Sequence, residues 1–293
     1  MEDAIDSIGV RTRQYGFYSK QGHTIWEEPR GLWAGYRWPQ YSVHRGKLQM
    51  LLYDTLIERA GPECISTGQR ATGFISTEAG AVLSLENAET GIPHKIAGKL
   101  IVAADGIHSA IRSQLVPDEG APLWNGAILW RAASLAPPLL GPGAMALAGH
   151  DAQRFVSYPI SDPDPQTGLV KMNWIAELRV DPSKCCNRED WNRVVHVSDL
   201  LHYFESWRFD WLDIPALMNR TEQVFEYPMV DRDPLNNWTV GHVTLMGDAA
   251  HPTYPVGSNG ATQAIIDART FGAALLSHGL TNQGLVHYEN QMR

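Results

Sequence analysis

Gly247-Asp248-Ala249-Ala250-His251-Pro252-Thr253-Tyr254-Pro255-Val256-Gly257-Ser258-Asn259-Gly260-Ala261 is the stretch that decides how this chain folds. Ahead of it, residues 240–246 form a compact apolar run, Val243-Thr244-Leu245-Met246 at its centre, which reads as a strand buried on both faces. Behind it, apolar spacing predicts a helix over 260–276. A strand end that turns into a helix in an α/β sheet is where ligands sit. An Asp carboxylate there can accept hydrogen bonds from sugar-like hydroxyls. Pro255, Gly257 and Gly260 let backbone lie against a flat ligand, because glycine has no side chain to clash. The helix directs its positive end at the loop, which favours an anion. The bland alternative is a Gly/Pro turn between strand and helix.

Two more segments share this texture. Leu100-Ile101-Val102-Ala103-Ala104 is a second short apolar run, ending in Asp105-Gly106, with a short helix expected over 109–115. Asp105 could simply cap that helix. Residues 45–60 predict a helix, with Leu48, Leu51, Leu52 and Leu56 at helical spacing and Gly61 as its stop. Strands or hairpins are expected at 13–19, 23–27 and 63–87, with a Gly/Pro/Trp loop over 29–39. From about 122 to 235, Trp, Tyr and Pro become frequent. Strands are expected there at 127–133, 154–159, 170–178 and 224–230, interrupted by one helix over 189–204. A last helix is expected over 284–293. The fold class is therefore α/β (α+β), with a β-rich antiparallel insertion splitting the scaffold in sequence.

Composition excludes several alternatives. The chain has 293 residues, 44% hydrophobic and 19% charged, which suits a globular protein with a real core. A net charge of -8 with no Lys/Arg run argues against nucleic acid or an anionic membrane surface as partner. No apolar run approaches the roughly 20 residues of a membrane span. The acidic N-terminus has no apolar core for a secretory signal, so a cytoplasmic location is expected. Cys64, Cys185 and Cys186 lack zinc-site spacing and read as plain thiols. His44, His108 and His251 have no second ligand at proper spacing; no metal is expected, and a loop-ordering role is the simpler reading. A Gly-x-Ser-x-Gly elbow, a Gly-Lys-Ser/Thr phosphate loop and a His-Glu-x-x-His pair are all missing.

Taken in order, Val43-His44-Arg45-Gly46-Lys47-Leu48, Ala104-Asp105-Gly106-Ile107-His108-Ser109-Ala110-Ile111-Arg112 and the 247–261 stretch resemble three motifs of the class A flavoprotein monooxygenases, the para-hydroxybenzoate hydroxylase superfamily. The resemblance spans nearly the whole chain. Residues 226–235 (Glu-Tyr-Pro-Met-Val-Asp-Arg-Asp-Pro-Leu) and 254–264 look most like the phenazine-hydroxylating branch, the 5-methylphenazine-1-carboxylate 1-monooxygenase type. Salicylate hydroxylase-like enzymes share the three motifs.

The resemblance implies an FAD-dependent monooxygenase that hydroxylates a small aromatic molecule, phenazine-like or salicylate-like, using NAD(P)H and dioxygen through a C4a-hydroperoxyflavin. It implies that Asp248 holds the ribityl chain of FAD and that Pro255, Gly257, Asn259, Gly260 and Ala261 lie along the isoalloxazine. It further implies that Arg45 reaches the ribityl or phosphate region, that Asp105 and Gly106 serve pyrophosphate and NAD(P)H binding, and that Ala71 touches the adenine through backbone. Candidate substrate walls are Trp130, Tyr158, Trp174, Tyr227 and Met229; each could equally be sheet core. Arg131 and Arg154 could meet a substrate carboxylate, or serve on the surface or in strand pairs. The expected division is an FAD-binding Rossmann-like domain over 41–120 and 239–293, interleaved with a substrate domain over 11–40 and 121–238. The superfamily's opening Gly-x-Gly-x-x-Gly unit has no counterpart here, so the Rossmann-like domain is expected to be incomplete at its N-terminus and to bind FAD weakly by itself. The alternatives are a related flavoprotein outcome, such as decarboxylative hydroxylation or epoxidation, and a truncated, non-catalytic remnant.

Overall fold

A computed structural model describes residues 2–181 and 193–293. The chain divides into two compact units, residues 1–64 with 126–229, and residues 65–125 with 230–293. Residues 41–64, grouped in the sequence reading with the Rossmann-like segments, pack in the first unit.

The first unit is built on an eight-stranded sheet. Its order is Arg193–Val195, Val224–Asp231, Leu123–Ala136, Val170–Arg179, Gln153–Pro159, Ala144–His150, Gln14–Tyr18 and Thr24–Pro29. Pairing from Leu123–Ala136 to Ala144–His150 is antiparallel, and the join of Ala144–His150 to Gln14–Tyr18 is parallel. Gln153–Pro159 shows why such a sheet forms. Its residues alternate between buried and half-buried along the whole strand, the period-two pattern that sets register.

One face is packed. Trp130 stands opposite Ala176, and Ala176 opposite Phe155, so these side chains share a face. Trp174 lies on the same face and is fully buried, with its ring 5.7 Å from that of Phe155. Phe204, from the Val197–Phe204 helix, sits 5.8 Å from Phe155, and Trp207 5.3 Å from Phe204. Each fully buried aromatic of this kind contributes about 1.5–3 kcal/mol by leaving water. The helix expected over 189–204 begins only at Val197, after a short strand, Arg193–Val195. The first residues of that expectation, and Cys185 and Cys186, lie outside the described residues.

The Arg45–Ala60 helix forms as expected and ends at Gly61, whose φ of 84° suits glycine. None of its residues is buried, and Met50, Leu52 and Leu56 are exposed.

The second unit holds two three-stranded sheets. One is an antiparallel meander of Gln69–Thr77, Gly80–Asn87 and Pro93–Gly98. The other runs Thr239–Val240, Val243–Leu245, Ile101–Ala103, with its last pair parallel. The two apolar runs singled out in the sequence are thus neighbours, Val243 opposite Ile101. They share a core with Phe74, Ile111, Trp238, Ala274 and Tyr288. The helices Ala110–Leu115, Gly260–His278 and Asn282–Met292 complete the unit. No helix among the described residues is long and apolar enough to cross a membrane.

Candidate flavin site

Val243, Thr244 and Leu245 are completely buried, so the chain leaves the sheet at a fixed point. It then turns sharply. Gly247 has φ 59°, a left-handed conformation that costs glycine little, while a Cβ there would meet nothing closer than 3.7 Å. The turn, not crowding, demands the glycine. Asp248 is exposed at this strand end, whereas Ala249 and Ala250 on its far side are buried.

The turn is tied down from behind. Oδ2 of the fully buried Asp267, on the Gly260–His278 helix, accepts the Gly247 amide at 2.7 Å and lies 2.7 Å from Nε2 of His251. The Trp238 ring stacks on the His251 ring at 5.1 Å. His251 therefore orders the loop, as its lack of a second ligand suggested. Asp267 gave no signal in the sequence, being one acid in an ordinary helix.

The Asp-Gly-x-x-Ser-x-x-Arg segment is wired to the same turn. Arg112, 1% exposed, donates from Nη1 to the carbonyls of Ala249 at 3.1 Å and Ala250 at 2.8 Å. Its Nη2 donates to the Asp233 carbonyl at 2.9 Å, and its Nε to Glu119. Arg232 donates to the Ile107 carbonyl at 2.7 Å and to Glu119 at 2.8 Å. Glu119 thus bridges two guanidinium groups. Burial pushes its carboxyl up, but the hydrogen bond and charge of Arg112, with Arg232, hold it below the ordinary carboxylate value. Ser109 caps the helix by accepting the Arg112 amide at 2.9 Å, and Asp105 accepts the Ala110 amide at 3.0 Å. The capping reading of Asp105 holds, and its exposed position beside Gly106 also leaves room for a ligand.

Ala71 is half-buried on Gln69–Thr77, opposite Leu85 and next to an irregularity in the ladder. Gln114 repairs that break. Its Oε1 accepts the Phe74 amide at 2.7 Å and its Nε2 donates to the Phe74 carbonyl at 2.8 Å.

Beyond His251 the loop is open. Pro255–Gly257 make one tight turn, Ser258 adopts a left-handed conformation at φ 54°, and residues 257–266 are exposed. Asn259 stands at the N-terminus of the Gly260–His278 helix and makes no capping bond with its side chain. The first-turn amides therefore face outward without a side-chain acceptor. Burial, with a hydrogen bond to Asp231, raises the Tyr254 phenol to about 12. These residues fit a flavin. Asp248 offers a carboxylate for hydroxyl groups, and Gly257, Asn259, Gly260 and Ala261 offer bare backbone and a positive helix end.

The remaining expected residues lie in the first unit, and the sheet sorts them by face. Trp130 and Trp174 belong to the packed face; Trp130 donates to Glu226 at 2.9 Å and Trp174 to Ser134 at 3.1 Å. Tyr158 stands opposite Asn173, and Asn173 opposite Ala133, two residues from Arg131. These side chains share the other face, where Tyr158, Asn173 and Arg131 are half-buried. Glu226 shares the face of Trp130, so Tyr227 projects with Arg131; Met229, two residues on, is 2% exposed. Arg45, the first residue of its helix, lies near Arg131 and Tyr158, and burial followed by the Arg45 charge pulls the Arg131 guanidinium down. Arg154 is spoken for by Glu177 at 2.5 Å.

A hollow of about 270 Å³ also opens in this unit, lined by Asp6, Arg11, Arg13, Pro142 and Pro159 among others. It contains none of the expected site residues, and the open strand-end loop is the better candidate because its exposed groups match a ligand's chemistry.

The FAD binding domain family profile matches residues 39–290. Phenazine 1,6-dicarboxylic acid hydroxylase PhzS of Lysobacter antibioticus is 39% identical over 98% of this chain and 71% of its own length. The 3-amino-4-hydroxybenzoate 2-monooxygenase PtmB3 of Streptomyces platensis is 31% identical over 78% of this chain; the matched region spans 53% of that protein. Among solved structures, Klebsiella pneumoniae HpxO complexed with FAD and uric acid superposes with a TM-score of 0.77 at 22% identity, covering 99% of this chain and 70% of that one. A salicylate hydroxylase substrate complex gives 0.74 at 19% identity, covering 98% and 71%. These two likenesses concern the fold.

Proposed function

Because the chain belongs to the FAD binding domain family of flavin-dependent monooxygenases, we propose that it hydroxylates a small aromatic molecule, phenazine-like or salicylate-like, with NAD(P)H and dioxygen. One observation carries the reading. At the end of the buried Val243–Leu245 strand, an exposed carboxylate, Asp248, precedes the open first turn of the Gly260–His278 helix. Bound FAD supplies the redox chemistry and the oxygen activation that hydroxylation needs. Asp248 binds its ribityl hydroxyls. The amides of Gly257 to Ala261 lie along its pyrimidine edge, where the helix end favours negative charge. Asp267, His251 and Arg112 hold that backbone still through the bonds described above. Asp105 and Gly106 serve the pyrophosphate, Ala71 the adenine and Arg45 the ribityl or phosphate region. The domain division at 41–120 and 239–293 against 11–40 and 121–238 belongs to the same proposal. Similarity to named monooxygenases favours catalysis over a non-catalytic remnant.

The test is oxygen incorporation. Flavin-loaded protein is incubated with NADPH or NADH, ¹⁸O₂ and a panel of aromatic acids, phenols and phenazines. A ligand that both accelerates NAD(P)H oxidation and returns carrying one ¹⁸O supports the proposal. Hydrogen peroxide as the sole oxygen product across the panel rejects it.

A further inference from the structure

We propose that Tyr254 is a positioning residue: its hydroxyl, donated to the Asp231 carboxylate, moors the backbone from Pro255 to Ala261 along which the flavin ring rests. The inference rests on the flavin reading above and adds the residue that sets that backbone in place.

Three observations carry it. First, the middle of the loop has a single side-chain tether. Its start is held through Gly247, Ala249, Ala250 and His251, and its end passes into the Gly260–His278 helix. Between them, the described side chains from Thr253 to Asn259 are all exposed except Tyr254, which is half-buried and hydrogen-bonded to Asp231. Among the described residues, the side chains of Thr253, Ser258 and Asn259 make no hydrogen bond. Second, the far end of the tether is fixed. Asp231 ends the Val224–Asp231 strand. The next residue, Arg232, donates to the Ile107 carbonyl at 2.7 Å and to Glu119 at 2.8 Å, and the Asp233 carbonyl accepts Arg112 Nη2 at 2.9 Å. Arg112 also binds the carbonyls of Ala249 and Ala250, so one guanidinium already spans the two backbone stretches that the tether joins. Third, the loop holds a conformation that it would not keep unaided. Ser258, at φ 54°, is one of two non-glycine residues with positive φ among the described residues. A serine there is strained and persists where its surroundings hold it. Its amide donates to the Pro255 carbonyl at 3.2 Å, which passes the demand to Pro255 and so to its neighbour Tyr254.

The chemistry suits a lasting tether. A phenol that donates to a carboxylate makes a charge-assisted hydrogen bond, stronger than a neutral one. Burial, then Asp231, raises the phenol to about 12, so it keeps its proton through the neutral and mildly alkaline range. One such point matters, because a misplacement of roughly 1 Å spoils the fit of backbone to ligand. The rival reading is that the Tyr254 ring only fills space, in which case its hydroxyl is dispensable.

The experiment titrates the full chain with FAD, reading affinity by fluorescence and the surroundings of the bound ring by visible circular dichroism at saturation. Tyr254→Phe keeps the ring and removes the hydroxyl. It should weaken FAD by three-fold or more and alter the dichroism, with a melting temperature within a few degrees of the wild type. Asp231→Ala should weaken FAD to the same degree. The double variant should lie within two-fold of either single one, because both break one bond. Asp231→Asn keeps an acceptor oxygen and should recover part of the loss. A Tyr254→Phe effect below three-fold, or an unchanged dichroism, overturns the inference and leaves the flavin reading intact. So does a double variant whose loss is the product of the two single losses, or an Asp231→Asn variant no better than Asp231→Ala. Failure of the wild type to bind FAD at about millimolar concentration overturns both readings.

Discussion

The carboxylate of Asp267 holds the amide of Gly247 at 2.7 Å, across twenty residues of sequence and from a fully buried position. The same oxygen lies 2.7 Å from His251 Nε2, so one acid fixes both ends of the turn that presents Asp248. Asp267→Ala leaves a buried amide without its acceptor, which costs about 1–3 kcal/mol. Thermal unfolding should show that loss, and fluorescence titration should show weaker FAD binding even well below the melting point.

Asp248 itself should behave differently. It is exposed, and among the described residues no hydrogen bond or ion pair engages its side chain. Asp248→Asn is expected to leave stability within about 0.5 kcal/mol of the wild type. FAD affinity should fall by about ten-fold, roughly 1.4 kcal/mol. Unchanged affinity would remove Asp248 from the flavin site.

Glu119 predicts a pH dependence. Its folded carboxyl titrates below the ordinary value because Arg112 and Arg232 flank it. A depressed acid contributes stability above the unfolded pKa of about 4.3 and loses it as pH falls through the folded value. Glu119→Gln strands two buried guanidinium groups and should cost about 3–5 kcal/mol at neutral pH. In acid the two proteins should converge. Urea unfolding midpoints at pH 7 and pH 4 measure both effects.

Gln114→Ala tests the repair of the broken ladder. The Phe74 amide and carbonyl both lose their partner. A loss of about 1–3 kcal/mol is expected. Amide hydrogen exchange should speed up at Phe74 in particular, while Trp130, in the other unit, keeps its protection.

Trp174 and Tyr158 separate core from ligand face. Trp174→Ala empties a fully buried site and should cost about 3–5 kcal/mol. Tyr158→Phe removes one hydroxyl from a half-buried position and should alter aromatic-ligand binding with a far smaller change in melting temperature.

Much of this was legible in the residues, for identifiable reasons. The runs at 100–104 and 243–246 are apolar without alternation, and only a doubly covered strand tolerates that; they do pair. The Arg45–Ala60 helix was marked by leucine spacing and a terminal glycine. Ala144–His150 escaped notice because Ala-Met-Ala-Leu-Ala-Gly-His lacks β-branched and aromatic side chains; it joins the sheet because strands on both sides accept it. Trp130, Trp174 and Tyr158 were equally plausible as core or wall, since which face a strand turns inward depends on neighbours far away in sequence. Glu119 and Asp267 could not be found at all. Their importance lies in whom they meet, not in what surrounds them along the chain.

The alternation in Gln153–Pro159 has an evolutionary consequence. Residues 153, 155 and 157 answer to folding, while residues 154, 156 and 158 answer to whatever approaches the opposite side. The two demands sit on the same strand yet are mutated independently. A lineage can exchange the second set to accommodate a new ring system and leave the first untouched, so chemical diversification need not begin with a loss of foldedness.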